Sequence, residues 1–183
     1  MIHAHTGSTP NIRMMVYCSL FTALIIIGTY MAIPIPISPV PIVLADFFVM
    51  LAGLFIGWKY GLISVLLYWG LGLLGLPVFS GASSGFAAFV GPTGGFLIGY
   101  LLLVVMIGVI VDKGKPTWMT HLVALLLGNI LLYTSGIVWL KISLDMNWVA
   151  AITAGLVPFI PGTIIKIVAV LVIGKTLVLR FKR

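Results

Sequence analysis

Two ionisable side chains sit inside the long apolar runs of this sequence: Lys166, and Asp46 alone among the three acids. A charge in apolar surroundings is costly, so each marks a candidate binding position. Pro161 suits the first position of a helix, where its missing N–H does no harm. Lys166 then stands about 7.5 Å along that helix, and Thr163, three residues earlier, shares its face. An ammonium, a hydroxyl and the positive end of a helix dipole gathered in one place would anchor a carboxylate or a carbonyl oxygen. Asp46 lies four residues after Ile42, just past a proline-rich segment, so its depth should match that of Lys166. Its carboxylate would accept from ligand N–H groups or pair with Lys166. Both residues also have blander readings: a lysine that snorkels to the interface, and an acid stabilised by its own helix N-terminus.

Asn129 and Tyr133 are four residues apart and share a helix face. They either line the same pocket or hydrogen-bond between helices. Ser83, Ser84 and Gly94, from the uncharged segment 77–95, complete the candidate ligand-binding set of Asp46, Asn129, Tyr133, Thr163 and Lys166. His121 reads as a boundary residue, and the single cysteine, Cys18, can form neither an internal disulfide nor a metal cluster. Gly174-Lys175-Thr176 resembles the end of a phosphate loop, but Ala169 stands where that motif needs glycine and no strand precedes it. Paired carboxylates and His-x-x-x-His are missing. The expectation is no ATP site, no catalytic residues, no metal and no cofactor. Such a pocket binds a solute and relies on another protein for energy.

The elements that position these residues follow from composition. The chain has 183 residues, 62% hydrophobic and only 7% charged, where a soluble domain carries about a quarter charged. At about 20 residues per span, the apolar content allows five to six crossings of a bilayer. Long apolar runs fall at about 12–33, 42–58, 60–79, 94–111, 118–140 and 161–180, with residues 1–11 as a flexible tail to a single membrane domain. A barrel would need segments of about ten residues with alternating polarity; these runs are uniformly apolar and longer. With the N-terminus inside, the inner positions hold Arg13, Lys59, Lys113, Lys115, Lys175, Arg180, Lys182 and Arg183, and the outer loops only Lys141. That bias fits the positive-inside rule, with Trp58 and Trp118 at the inner interface and Trp139 and Trp148 at the outer one. The net charge of +7 thus reports topology, and no basic stripe exists to track nucleic acid.

Segments 34–41, 77–95 and 158–163 are rich in Pro, Gly and Ser, and all map to the outer side. Irregular backbone at membrane depth is tolerated when it is buried in protein or lines a wet cavity. These segments are expected to fold over the bundle and close an outward-facing pocket; the alternative is simple helix punctuation. Ser19 with Ala23, and Gly28 with Ala32, form small-residue patches that let another helix approach.

Ile33-Pro34-Ile35-Pro36, Ser38-Pro39-Val40-Pro41, Leu51-Ala52-Gly53-Leu54, Gly75-Leu76-Pro77-Val78-Phe79, the stretch from Gly91-Pro92-Thr93-Gly94-Gly95 to Tyr100, and Pro158-Phe159-Ile160-Pro161-Gly162 with Lys166 together resemble the BioY family. Those proteins are the biotin-binding subunits (S components) of energy-coupling factor transporters. The likeness runs from about residue 14 to the end of the chain, and Gly-Leu-Pro-Val-Phe with Gly-Pro-Thr-Gly-Gly is its specific part. It implies an all-α, six-helix protein of a bacterial plasma membrane with both termini cytoplasmic. It also implies a biotin pocket at the outer side, and docking onto a transmembrane coupling subunit with two cytoplasmic ATPases. The family's Ala-x-x-x-Ala on helix one is partly kept, as Ser19 and Ala23. The family usually has Asp where Thr163 stands, and Leu-Gln-Thr-Phe where this chain has Leu44-Ala45-Asp46-Phe47. A carboxylate lost from the last helix is regained on the second, so Asp46 is expected to accept the ureido N–H bonds of biotin, with Thr163 and Lys166 completing the polar shell.

The competing readings are another small heterocyclic vitamin on the same scaffold, or an intramembrane enzyme built on Asp46, Thr163 and Lys166. A channel would need a continuous polar stripe, which Leu101–Val111 and Ile167–Ile173 do not offer.

Overall fold

The computed structural model describes residues 12–181; the expected tail, Lys182 and Arg183 lie outside the described residues. Helix α1 (Ile12–Tyr30) leads into a short antiparallel ladder of β1 (Ala32–Ile33) with β2 (Ile42–Val43), in which Ala32 faces Val43. Helix α2 (Ala45–Leu73) follows, then a loop with a 3-10 turn at Ser80–Ala82 and the short α3 (Ala87–Val90). The chain continues through α4 (Gly94–Lys113), α5 (Trp118–Ser143), α6 (Trp148–Gly155) and α7 (Ile160–Phe181). In apolar surroundings a helix satisfies every backbone group within itself, and uniformly apolar stretches of this length have no better solution. Thr117 and Asn147 cap α5 and α6 by accepting from Thr120 N and Ala150 N.

Helix α2 is two rods. Gly57, at φ 71° and ψ −178°, breaks it into arms 45–56 and 58–73. A Cβ built on Gly61 would lie 3.5 Å from backbone atoms of Ala52 and Gly53, whereas nine residues of unbroken helix span about 13.5 Å. The chain therefore doubles back at Gly57. Bonds from Cys18 Sγ to Tyr60 O (3.3 Å), from Thr22 Oγ1 to Ser64 O (3.0 Å) and between Thr29 Oγ1 and Tyr68 Oη (3.3 Å) run the second arm parallel to α1. Leu44 N donates to Gly28 O at 2.9 Å, so the first arm starts beside the far end of α1 and runs antiparallel to it. Six rods result from the five helical stretches among the described residues that are long and apolar enough to cross a membrane.

The first three rods are shorter than the apolar runs, and α4, α5 and α7 run slightly past theirs. The expected run 12–33 stops at Tyr30, where the chain enters the ladder, and 60–79 stops at Leu73, because 74–79 peel away into the loop. The eight-residue α6 was not expected. The core gathers Val49, Met50, Val65, Leu103, Val104, Ile107, Leu125 and Val170, with α4 lodged between α2 and α5. On α7, Ile164, Ile165, Val168 and Val172 are exposed, as are Leu126, Leu127 and Ile130 on α5. Apolar faces of that extent need lipid around them, and the chain is a multi-pass membrane protein.

Candidate ligand-binding site

The second residue of α2 and the seventh of α7 meet at the end of the bundle that carries the proline-rich loops. Lys166 Nζ donates to Asp46 Oδ1 at 2.7 Å and Oδ2 at 2.9 Å, and to Val43 O on β2 at 2.7 Å. The lysine is 8% exposed and the aspartate 5%. An ammonium has three N–H donors, and all three are used; Lys166 is a buried, saturated centre and does not snorkel. One turn nearer the start of α7, Thr163 donates to Phe159 O at 2.9 Å. Its single hydrogen is thereby spent, so in the 2.5 Å contact between the two hydroxyls it is Tyr133 that donates to Thr163. Replacing Tyr133 with phenylalanine removes this bond while keeping the ring, and thermal unfolding in detergent should show a loss of about 1 kcal/mol. Unchanged stability would mean that the hydroxyl pair contributes nothing.

Aromatic rings wall this layer. Phe96 stacks on Phe159 at 6.0 Å and meets Tyr133 edge-on at 6.4 Å. The Tyr100 and Tyr133 hydroxyls are within electrostatic reach of the Asp46 carboxylate. A cleft of about 30 Å³ opens beside the layer, between Val40 and Val43 of the hairpin, Tyr68 of α2, and Phe96 and Tyr100 of α4. That is room for about two waters, so in this conformation the loops are closed down on the site.

The expected site residues fall into three groups. Asp46, Thr163, Lys166 and Tyr133 converge as one polar cluster. Asn129 lies one turn deeper on α5, donating to Leu125 O at 2.8 Å and Met50 Sδ at 3.3 Å. Ser83 and Ser84 belong to the covering loop and Gly94 begins α4 against it: Ser83 Oγ donates to Ser80 O at 2.9 Å, and Ser84 is half-buried. Gly94 runs so close to the loop that a Cβ there would lie 1.8 Å from Phe89 O, and Trp139 Nε1 fastens the same loop by donating to Gly91 O at 2.9 Å. His121 is buried in the first turn of α5 at the other end, near Gly174. Ser19 and Ala23 are exposed on α1, while Gly28 packs inside against Phe48 and Leu44. Thr29, Tyr68, Ser80 and Tyr100 line the cleft without having been expected there. Tyr100 ends the Gly-Pro-Thr-Gly-Gly stretch, the one signal that could have pointed to it.

The arrangement offers a carboxylate acceptor, hydroxyls and an ammonium whose bond to Asp46 or Val43 O a ligand carbonyl can replace, all beneath aromatic walls, suited to a small flat ligand carrying both N–H and C=O groups. Residues 3–183 match the model of the BioY family. The chain belongs to the BioY family. It is 38% identical to the biotin transporter BioY of Lactococcus lactis, covering 93% of each chain, and 37% identical to that of Thermotoga maritima, covering 93% of this chain and 96% of the relative. Its fold is similar, with a TM-score of 0.85 and 36% identity, to the crystal structure of an S-component for biotin from an ECF-type ABC transporter, covering 93% of this chain and 94% of the other. The BioY likeness and the polar cluster thus come from independent observations, one of the whole chain and one of four side chains.

Proposed function

We propose that this chain captures biotin as the S component of an energy-coupling factor transporter. The structural likeness to a biotin S-component across nearly the whole of both chains carries the reading. The chemistry of the cluster supports it. A ureido group presents two N–H donors to Asp46 and one carbonyl that takes over one of the three Lys166 bonds now made to Asp46 and Val43 O, while the ring and aliphatic chain suit the faces of Phe96 and Tyr100. Thr163 and Tyr133 hold the edge of the layer, and Asn129 backs it from below. Entry requires the hairpin 31–43 or the loop 74–93 to lift, because the closed cleft is far smaller than any vitamin.

The loop-rich end faces outside and the end bearing Arg13, Lys59, Lys113, Lys115 and Lys175 faces the cytoplasm of a bacterial cell, in keeping with the charge bias. A transmembrane coupling subunit and two cytoplasmic ATPases supply the energy, with Ser19 and Ala23 on the exposed face of α1 as contacts for the coupling subunit. The chain is a carrier and not an enzyme. Isothermal titration of the purified protein tests this: biotin should bind one-to-one and be recovered unchanged, while thiamine and riboflavin should not compete. Preferential binding of either control, or conversion of biotin to a product, would overturn it.

A further inference from the structure

Ser80 stands on the 3-10 turn 80–82 at the loop-rich end and lines the cleft. Its Oγ is shielded from solvent and has no hydrogen-bond partner among the described residues, although burying an unpaired hydroxyl is unfavourable. Other contacts hold the turn in place. Ser83 Oγ donates to the Ser80 carbonyl at 2.9 Å, and Phe79 N donates to Ser83 O at 3.0 Å. Phe79 itself is buried between Tyr68, at 5.3 Å, and Phe89, at 5.6 Å. The Ser80 hydroxyl is therefore presented at a fixed point with its donor unspent. Two neighbouring hydroxyls on the cleft wall are engaged, Thr29 with Tyr68 at 3.3 Å and Thr93 with Ala88 O at 3.4 Å, while Tyr100, on the α4 side of the cleft, stands in the layer of Asp46 and not on the loop.

Biotin held by its ureido group at Asp46 carries a carboxylate at the far end of its chain. Like charges repel, so that carboxylate points away from Asp46, toward the loops. Of the two lysines at that end, Lys166 is held by Asp46 and Val43 O, and Lys141 lies over the Trp148 ring at 5.3 Å and does not line the cleft. A neutral donor has to serve instead. We propose that Ser80 Oγ–H donates to the carboxylate of the bound ligand, which makes Ser80, and not its neighbours Ser83 or Ser84, the residue that selects a free acid over neutral derivatives. The proposal rests on the biotin reading above.

Titration of the full-length protein with biotin and with biotin methyl ester tests it, using wild type, Ser80→Ala and Ser80→Gly. A hydrogen bond to a charged acceptor is stronger than one to a neutral acceptor, so wild type should prefer the acid by roughly tenfold. Both variants should bind biotin roughly tenfold more weakly and the ester within about twofold of wild type, which removes the preference. Retained affinity for the ester also reports that the variants are folded. A wild-type preference that survives both substitutions, or equal loss of acid and ester in both, overturns the role of Ser80 alone. Failure of wild type to bind either compound overturns the biotin reading and this proposal with it.

Discussion

Replacing Asp46 with alanine should weaken biotin binding by at least about tenfold, the equivalent of ~1.5 kcal/mol at the low end for a hydrogen bond to a charged group. The same substitution also unmasks Lys166. That ammonium would keep its bond to Val43 O but lose both carboxylate contacts at 2.7 and 2.9 Å. Removing one member of a buried pair typically costs 3–5 kcal/mol, whereas replacing both with apolar groups is often neutral. Stability and affinity therefore respond differently to a second change. Asp46→Ala with Lys166→Met should recover most of the thermal stability lost by Asp46→Ala alone, yet bind biotin no better. Full biotin affinity in the single variant would remove Asp46 from the site. Recovery of affinity along with stability in the double variant would show that the pair only holds the fold.

The pairing of these two residues was legible because the chain offers so few polar side chains within its apolar body. With one lysine and one acid placed at matching distances behind proline-rich breaks, depth alone brought them together. The position of the carboxylate was legible for the same reason. Thr163 shares a face with Lys166 and Asp46 contacts Lys166 directly, so an acid at either position can serve the same ammonium. The cleft lining was not legible. Tyr68 and Tyr100 stand in apolar stretches where a tyrosine reads as core, and what turns them toward the cleft is the rotation of α2 and α4 about their axes. No periodicity fixes that rotation when almost every neighbour is apolar. Among three nearby serines, which one faces the cleft depends on Gly81 and Ala82, whose φ values of 71° and 55° turn the backbone back on itself. The reversal at Gly57 was misplaced by two residues for a related reason. Lys59 looks like the punctuation, but the charge only marks the membrane surface; the residue that lets the chain turn is the glycine before Trp58.

Gly57→Ala should accordingly be among the most damaging single-methyl changes in the protein. At φ 71° and ψ −178° the backbone occupies a region essentially closed to side-chain-bearing residues, which costs about 1–3 kcal/mol. The added methyl would also lie 2.8 Å from Asp112 Oδ2 and 2.9 Å from Oδ1. That carboxylate sits at the end of α4 and accepts from Trp58 N at 3.4 Å, so the clash falls on the group that clasps the start of the second arm. A total loss of about 2–4 kcal/mol in unfolding experiments is expected from the two terms. Gly70→Ala is the control: nothing lies within 4 Å of its Cβ position, and in mid-helix alanine is favoured over glycine by about 0.5–1 kcal/mol. Truncating Asp112 to alanine in the Gly57→Ala background should return the steric part and leave the backbone part. If Gly57→Ala instead behaved like Gly70→Ala, the chain would not reverse there. The first arm would then no longer run antiparallel to α1, and Asp46 would lose the position from which it reaches Lys166.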